Sequence, residues 1–255
     1  MNNTFKTALG LLIPFLGTSA GALPVLFMNR DFGPRLKKFL FGFAAGVMIA
    51  ASVWSLLIPA IEMTGGRLAF LPAVSGFLTG IALLAVFDTL IDRLCRVSSE
   101  SLKTPHGVLM TAIAVTLHNI PEGMAVGVAF AGIRGGAISF PEALALAIGI
   151  AVQNLPEGAI VSLPLRAAGL PRGKALLYGI LSGAVEPVGA AVTVILTAAI
   201  APVLPFILSF AAGAMMYVVA NELIPEAQCP ERSMFAVSGL SLGFSLMMLL
   251  DVTLG

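Results

Sequence analysis

Charged residues are scarce in this chain: only 11% of its 255 positions are Asp, Glu, Lys or Arg, against about 25% in soluble domains. With 58% of the residues hydrophobic, a water-soluble globule is excluded. A disordered chain is excluded too, because it needs low hydrophobicity and high net charge. The net charge of +1 gives no basic footprint for nucleic acid. Two cysteines, Cys95 and Cys229, are too few for a disulfide framework or a thiolate zinc site, and both read as free thiols. A single Trp and two Tyr do not make an interfacial aromatic belt. No polar stretch is long enough for a soluble domain or a low-complexity insert. What the chain has in abundance is apolar sequence cut by glycine and proline, both tolerated in spanning helices.

Charges and turn residues divide it into eight apolar segments, at roughly 7–28, 38–61, 68–91, 107–130, 142–165, 174–198, 201–228 and 233–254. Each matches the ~20 residues that a helix needs to cross a bilayer. None alternates as a membrane β-strand would. Eleven of the 14 Lys and Arg fall in the first, third, fifth and seventh loops, and basic residues mark the cytoplasmic side. Both termini are therefore expected on the extracytoplasmic side. The first segment, with Lys6 and Ala20-Gly21-Ala22, also has the outline of a signal peptide. Its weak match to segment 6, around Pro24-Val25 and Pro187-Val188, favours a first span.

That match belongs to a larger pattern. Phe43-Ala-Ala-Gly-Val-Met48 and Leu57-Ile58-Pro59 in segment 2 return as Phe210-Ala-Ala-Gly-Ala-Met215 and Leu223-Ile224-Pro225 in segment 7. Val74-Ser75-Gly76, Gly80, Leu83 and Asp88 in segment 3 return as Val237-Ser238-Gly239, Gly243, Leu246 and Asp251 in segment 8. Segments 1–3 thus correspond to segments 6–8, five spans later and so in opposite directions. Inverted repeats of this kind are a transporter signature, with the site near mid-membrane. The expected fold is an all-α polytopic membrane protein, a single domain over 1–255. It has eight transmembrane helices in a 3+2+3 arrangement, with helices 1–3 and 6–8 as the inverted repeats.

The two middle segments carry the chemistry. Segment 4 contains His118-Asn119-Ile120-Pro121-Glu122-Gly123, and segment 5 contains Gln153-Asn154-Leu155-Pro156-Glu157-Gly158. Each places two polar side chains at i and i+4 on one helix face. Each also has a proline that cannot donate the helical hydrogen bond to Leu117 or Val152. His118 and Gln153 lie eleven residues into their segments, about 16 Å deep in a ~30 Å hydrocarbon layer. Glu186 on segment 6 reaches a similar depth. Asn and Gln serve helix packing as readily as ligation, but a mid-membrane carboxylate costs roughly 2.5–3.5 kcal/mol even on the mildest scales. Glu122, Glu157 and Glu186 at one level would repel unless protons or a cation compensate. Imidazole nitrogen with carboxylate oxygen suits zinc and similar divalent first-row ions. Met48, near mid-depth on segment 2, can add a thioether, though packing is its commoner use.

The HNIPEG and QNLPEG hexapeptides on an eight-helix plan with both ends outside resemble the ZIP (Zrt-, Irt-like) metal transporters. The Phe-Ala-Ala-Gly-Val-Met stretch and the short loops resemble the prokaryotic GufA-type branch. The resemblance implies uptake of Zn²⁺, with Cd²⁺, Fe²⁺ or Mn²⁺ as further substrates, across a bacterial or archaeal cytoplasmic membrane. It implies a binuclear site: one metal on Met48, His118, Glu122, Gln153 and Glu157, the second on Asn119, Asn154 and Glu186, with Glu122 and Glu157 as bridges. Two departures stand out. The loop between helices 3 and 4, histidine-rich in many relatives, has about 15 residues here and the single His106. Asn154 stands where some relatives have aspartate, which lowers the charge of the second site. Partners beyond the metal ion and the lipid are limited to a second copy, as a homodimer; no organic cofactor is implied.

Smaller signals complete the reading. Glu62 and Asp251 fall at the outer face and can recruit cations at an entrance, or serve as ordinary interfacial charges. Glu222 and Glu226, again i and i+4 around Pro225, lie near the inner end of segment 7 and can form an exit relay with His106. Asp88 reads as interfacial. A proton-coupled carrier of a small organic solute is the alternative function, with the glutamates binding protons only. A membrane hydrolase is disfavoured by the absence of HExxH and of a nucleophile beside His118.

Overall fold

The computed structural model describes residues 3–28, 33–96, 105–133, 136, 138–200, 203–228 and 233–254; the side chains of 3–6, 91–96, 105–115, 117, 118 and 197–200 fall outside that description. Among the described residues the chain is helical throughout. In order it forms α1 (Asn3–Ala22), α2 (Pro34–Ala51), α3 (Ile58–Thr64), α4 (Phe70–Arg96), α5 (Pro105–Gly132), α6 (Phe140–Ala167), α7 (Arg172–Gly183), α8 (Val185–Ile200), α9 (Leu204–Val218), α10 (Ile224–Gln228) and α11 (Met234–Leu254).

Among the described residues, seven stretches are long and apolar enough to cross a membrane: Thr7–Leu26, Pro34–Thr64, Phe70–Leu90, Phe140–Ala167, Arg172–Leu196, Leu204–Gln228 and Met234–Leu254. The protein is therefore a multi-pass membrane protein. Helix α5, 28 residues long, is the remaining long helix, and most side chains of its first half lie outside the description. The α2–α3 stretch and α6 are the most enclosed, while α4 and α11 bury only 22% of their apolar windows. Leu78, Val86, Leu242 and Leu249 accordingly point outward, as lipid-facing side chains do.

Two sequence echoes have structural counterparts. The α2–α3 stretch widens into a π-turn at Ser52–Leu57, just before Ile58-Pro59. The α9–α10 stretch does the same at Val219–Leu223, just before Ile224-Pro225. Proline has no N–H for the carbonyl four residues back, so the turn before it is free to widen. Each π-turn is tied to an aspartate on another helix. Ser55 donates to Asp251 of α11 at 2.8 Å. Tyr217, in the turn before the second widening, and Asn221 within it both donate to Asp88 of α4 at 2.8 Å. Asp88, expected as an interfacial charge, thus anchors a helix pair.

The same backbone contact also occurs twice. A Cβ on Gly243 would lie 2.1 Å from the carbonyl oxygen of Phe43, and one on Gly80 would lie 2.1 Å from that of Phe210. Helices α11 and α4 therefore meet α2 and α9 at backbone distance, the approach that small residues permit in membranes. Replacing Gly80 or Gly243 by Ala should force each pair apart, at about 1–3 kcal/mol. Thermal unfolding of the purified variants in detergent checks this: both should melt below wild type, and an unchanged melting temperature would contradict the contact.

Candidate metal site

Helices α5 and α6 run unbroken through Pro121 and Pro156. Both hexapeptides are therefore presented on helices, as their spacing predicts. The third contributing stretch is not continuous. Helix α7 ends at Gly183, Ala184 makes a turn, and α8 begins at Val185, so Glu186 sits in the first turn of a new helix. Pro187 explains the break, since it cannot donate to the Gly183 carbonyl. A carboxylate in a first helical turn is favoured by the helix dipole. Discontinuous helices of this kind line substrate sites in transporters.

Hydrogen bonds gather the polar side chains. Gln153 Nε2 donates to Glu122 Oε1 at 2.7 Å, joining α6 to α5. Asn119 Nδ2 donates to the Ser182 carbonyl at 3.1 Å and to Glu186 Oε1 at 3.1 Å, joining α5 to the break between α7 and α8. Thr18 Oγ1 of α1 donates to the same Glu186 oxygen at 2.7 Å. Asn119, Gln153, Asn154 and Glu186 are fully enclosed, Glu122 is 2% exposed and Glu157 8%. Glu157 lies within electrostatic range of both Glu122 and Glu186. Glycines of the hexapeptides set the spacing: a Cβ on Gly123 would lie 2.2 Å from the Glu186 carbonyl oxygen, and one on Gly158 would lie 2.0 Å from that of Thr18.

These bonds leave a definite remainder. Glu122 Oε2, Glu186 Oε2, Asn119 Oδ1, Asn154 Oδ1 and Gln153 Oε1 are buried with no hydrogen-bond partner. Five oxygens rich in lone pairs, on the same few helices, outnumber the single unpaired donor among them, Asn154 Nδ2, which lies close to both Glu122 and Glu186. A buried group left this way costs about 1–3 kcal/mol, more if charged, and a cation answers several at once. The carboxylates are not drawn to one point, however. Among the described residues no three His, Cys, Asp or Glu side chains form a metal-holding group. Glu122 is turned toward Gln153, and Glu186 toward Thr18 and Asn119. The imidazole of His118 lies outside the described side chains, as does that of His106; both residues stand on α5. Met48 is 1% exposed on α2, within the main apolar cluster.

Glu62 and Asp251 do meet. Glu62 and Asp251 line one cavity of about 240 Å³ together with Glu142, Ser55 and Trp54. Asp251 Oδ2 is buried there without a partner. Glu142, unremarked in the sequence, enters because it closes a capping box with Ser139 at the start of α6. At the other end, Glu222 is half-buried on the second π-turn and within electrostatic range of Glu157. Glu226 pairs with Lys37 at 3.1 Å, both side chains partly exposed. Cys229 lies outside the described residues, as does the side chain of Cys95.

Sequence reasoning missed Thr18, Glu142 and the break beside Glu186. The dipeptide Glu186-Pro187 signalled the break. Thr18 had no sequence signal; in the structure it stands to Gly158 as Glu186 stands to Gly123.

Comparison with known proteins converges on one family. The family model described as ZIP Zinc transporter matches residues 94–251. The chain is 36% identical to "Zinc transporter GufA" of Myxococcus xanthus, over 96% of this chain and 97% of that protein. It is 38% identical to "Zinc transporter ZIPB" of Bordetella bronchiseptica, over 97% and 81%, and 35% identical to "Zinc transporter ZIP11" of Xenopus tropicalis, over 98% and 97%. All three relatives carry the name of transporters, not of enzymes. This chain belongs to the ZIP family.

Proposed function

We propose that the chain carries Zn²⁺ into the cytoplasm, and by the same donor chemistry Cd²⁺, Fe²⁺ or Mn²⁺, through a binuclear site midway across the bilayer. The observation that carries this reading is the set of partnerless buried oxygens on Glu122, Gln153, Asn119, Asn154 and Glu186. The relatives named as zinc transporters supply the metal. One ion is bound by Glu122, Gln153 and Glu157, with His118 one turn before Glu122 and Met48 from α2. The other is bound by Asn119, Asn154 and Glu186, with Glu122 and Glu157 between the two. Entry of the ion replaces the Gln153–Glu122 hydrogen bond by metal–oxygen bonds and turns Glu122 toward the ion.

The topology follows the same reading: eight spans, both termini outside, and two inverted three-span repeats around α5 and α6. Supporting it are the paired π-turns, the paired aspartate anchors and the paired glycine contacts. In this orientation the cavity with Glu62, Glu142 and Asp251 opens outward and concentrates cations. Glu222 stands between the site and the inner face, within electrostatic range of Glu157.

Zinc flux into proteoliposomes tests the function. Wild type should show saturable uptake, and Glu122→Ala and Glu157→Ala should each abolish it; unchanged flux in both variants would end the site model. Retained uptake of an organic solute by His118→Ala, without metal flux in wild type, would favour the proton-coupled carrier. The outer cavity has its own test in Asp251→Asn and Glu62→Gln. Each should raise the KM for zinc a few-fold while leaving maximal flux near wild type. An unaltered KM in both would remove the cavity from the pathway.

A further inference from the structure

Resting on that metal-transport reading, we propose that Thr18 is a positioning residue that sets metal selectivity by restricting Glu186 to coordination through one oxygen. Glu186 is fully enclosed, and its two oxygens are treated unequally. Oε1 accepts from Thr18 Oγ1 at 2.7 Å and from Asn119 Nδ2 at 3.1 Å. Two donors fill the two lone-pair directions of one carboxylate oxygen. Oε2 is buried and has no partner. A cation arriving at this side chain therefore meets one saturated oxygen and one free one.

The hydroxyl is held where it is by the backbone around it. The Thr18 carbonyl packs on Gly158, where a Cβ would come within 2.0 Å of its oxygen. The Thr18 side chain packs on Gly183, where a Cβ would come within 2.7 Å of the Thr18 Cβ. Helix α1 is thus clamped between α6 and α7 at this residue, and a β-branched side chain has little χ1 freedom. Thr18 can hold Glu186 in one orientation through the whole binding event.

One-oxygen coordination discriminates between ions. Zinc is satisfied by four ligands and takes single carboxylate oxygens at about 2.0–2.2 Å. Ions of the size of Ca²⁺ take six to eight oxygens and readily use both oxygens of a carboxylate; Cd²⁺ is close to Ca²⁺ in size. Holding Oε1 on Thr18 withholds the second oxygen that the larger ion would use. Removing the hydroxyl frees one of the two lone-pair directions of that oxygen, leaving the Asn119 bond, and loosens the carboxylate that the smaller ion relies on.

The test compares Thr18→Val, which keeps the shape and removes the hydroxyl, with Thr18→Ser, which keeps the hydroxyl. Zn²⁺ and Cd²⁺ binding to the purified full chain are measured by titration calorimetry, and flux of each ion in proteoliposomes. Thr18→Val should lower the zinc-over-cadmium affinity ratio on the order of tenfold, the worth of one hydrogen bond to a charged group. Thr18→Ser should restore it. If Thr18→Val does not yield folded protein, Thr18→Ala removes the same hydroxyl with less bulk and should show the same loss. An unchanged ratio in the hydroxyl-free variants would overturn the proposal, as would a Thr18→Ser variant as impaired as Thr18→Val. The two readings fail separately. Wild type that neither binds nor passes zinc refutes metal transport, whereas wild type that does both, beside a hydroxyl-free variant of equal selectivity, refutes only the role of Thr18.

Discussion

An acidic oxygen inside a bilayer must be answered by a donor, a proton or a cation, because hydrocarbon offers it nothing. That constraint organises the centre of this molecule. Gln153 answers one oxygen of Glu122; Thr18 and Asn119 answer one oxygen of Glu186. Each glutamate keeps a second oxygen that no side chain satisfies. Helices that merely needed to adhere would not keep such groups, since apolar side chains would pack there at lower cost. The unanswered oxygens are the feature that a divalent substrate explains.

The fold brings these oxygens together by close backbone approach and by interrupted helices. Glycines at the ends of both hexapeptides let α5 meet α8 and α6 meet α1 at carbonyl distance. Pro187 breaks the α7–α8 stretch beside Glu186, and Asn119 donates to the Ser182 carbonyl at that break. Farther out, π-turns ahead of Pro59 and Pro225 adjust two more stretches, and Asp251 and Asp88 tie each of them to a lipid-facing helix. Proline and glycine, which would weaken a soluble helix, here bring polar groups of different helices into contact.

Much of this was legible in the residues. Scarce charge and long apolar segments set the all-helical membrane class. The hexapeptides placed Glu122, Gln153, Asn154 and Glu157 on helices at i and i+4 spacing, because helical spacing depends only on sequence position. The repeats between segments 2 and 7 foreshadowed the paired π-turns, since the same Leu-Ile-Pro follows each. What was not legible depended on which helices touch. Thr18 is one threonine in an apolar segment and acquires meaning only when α1 crosses α8. Glu142, which drew no attention in the sequence, caps α6 and also faces the cavity shared with Glu62 and Asp251.

Anomalous diffraction from crystals grown with zinc tests the central claim most directly. The account predicts a zinc peak between α5 and α6, within about 2.0–2.2 Å of carboxylate oxygens of Glu122 and Glu157. Zinc found only at exposed surface carboxylates, with these buried oxygens still turned to their hydrogen-bond donors, would contradict it.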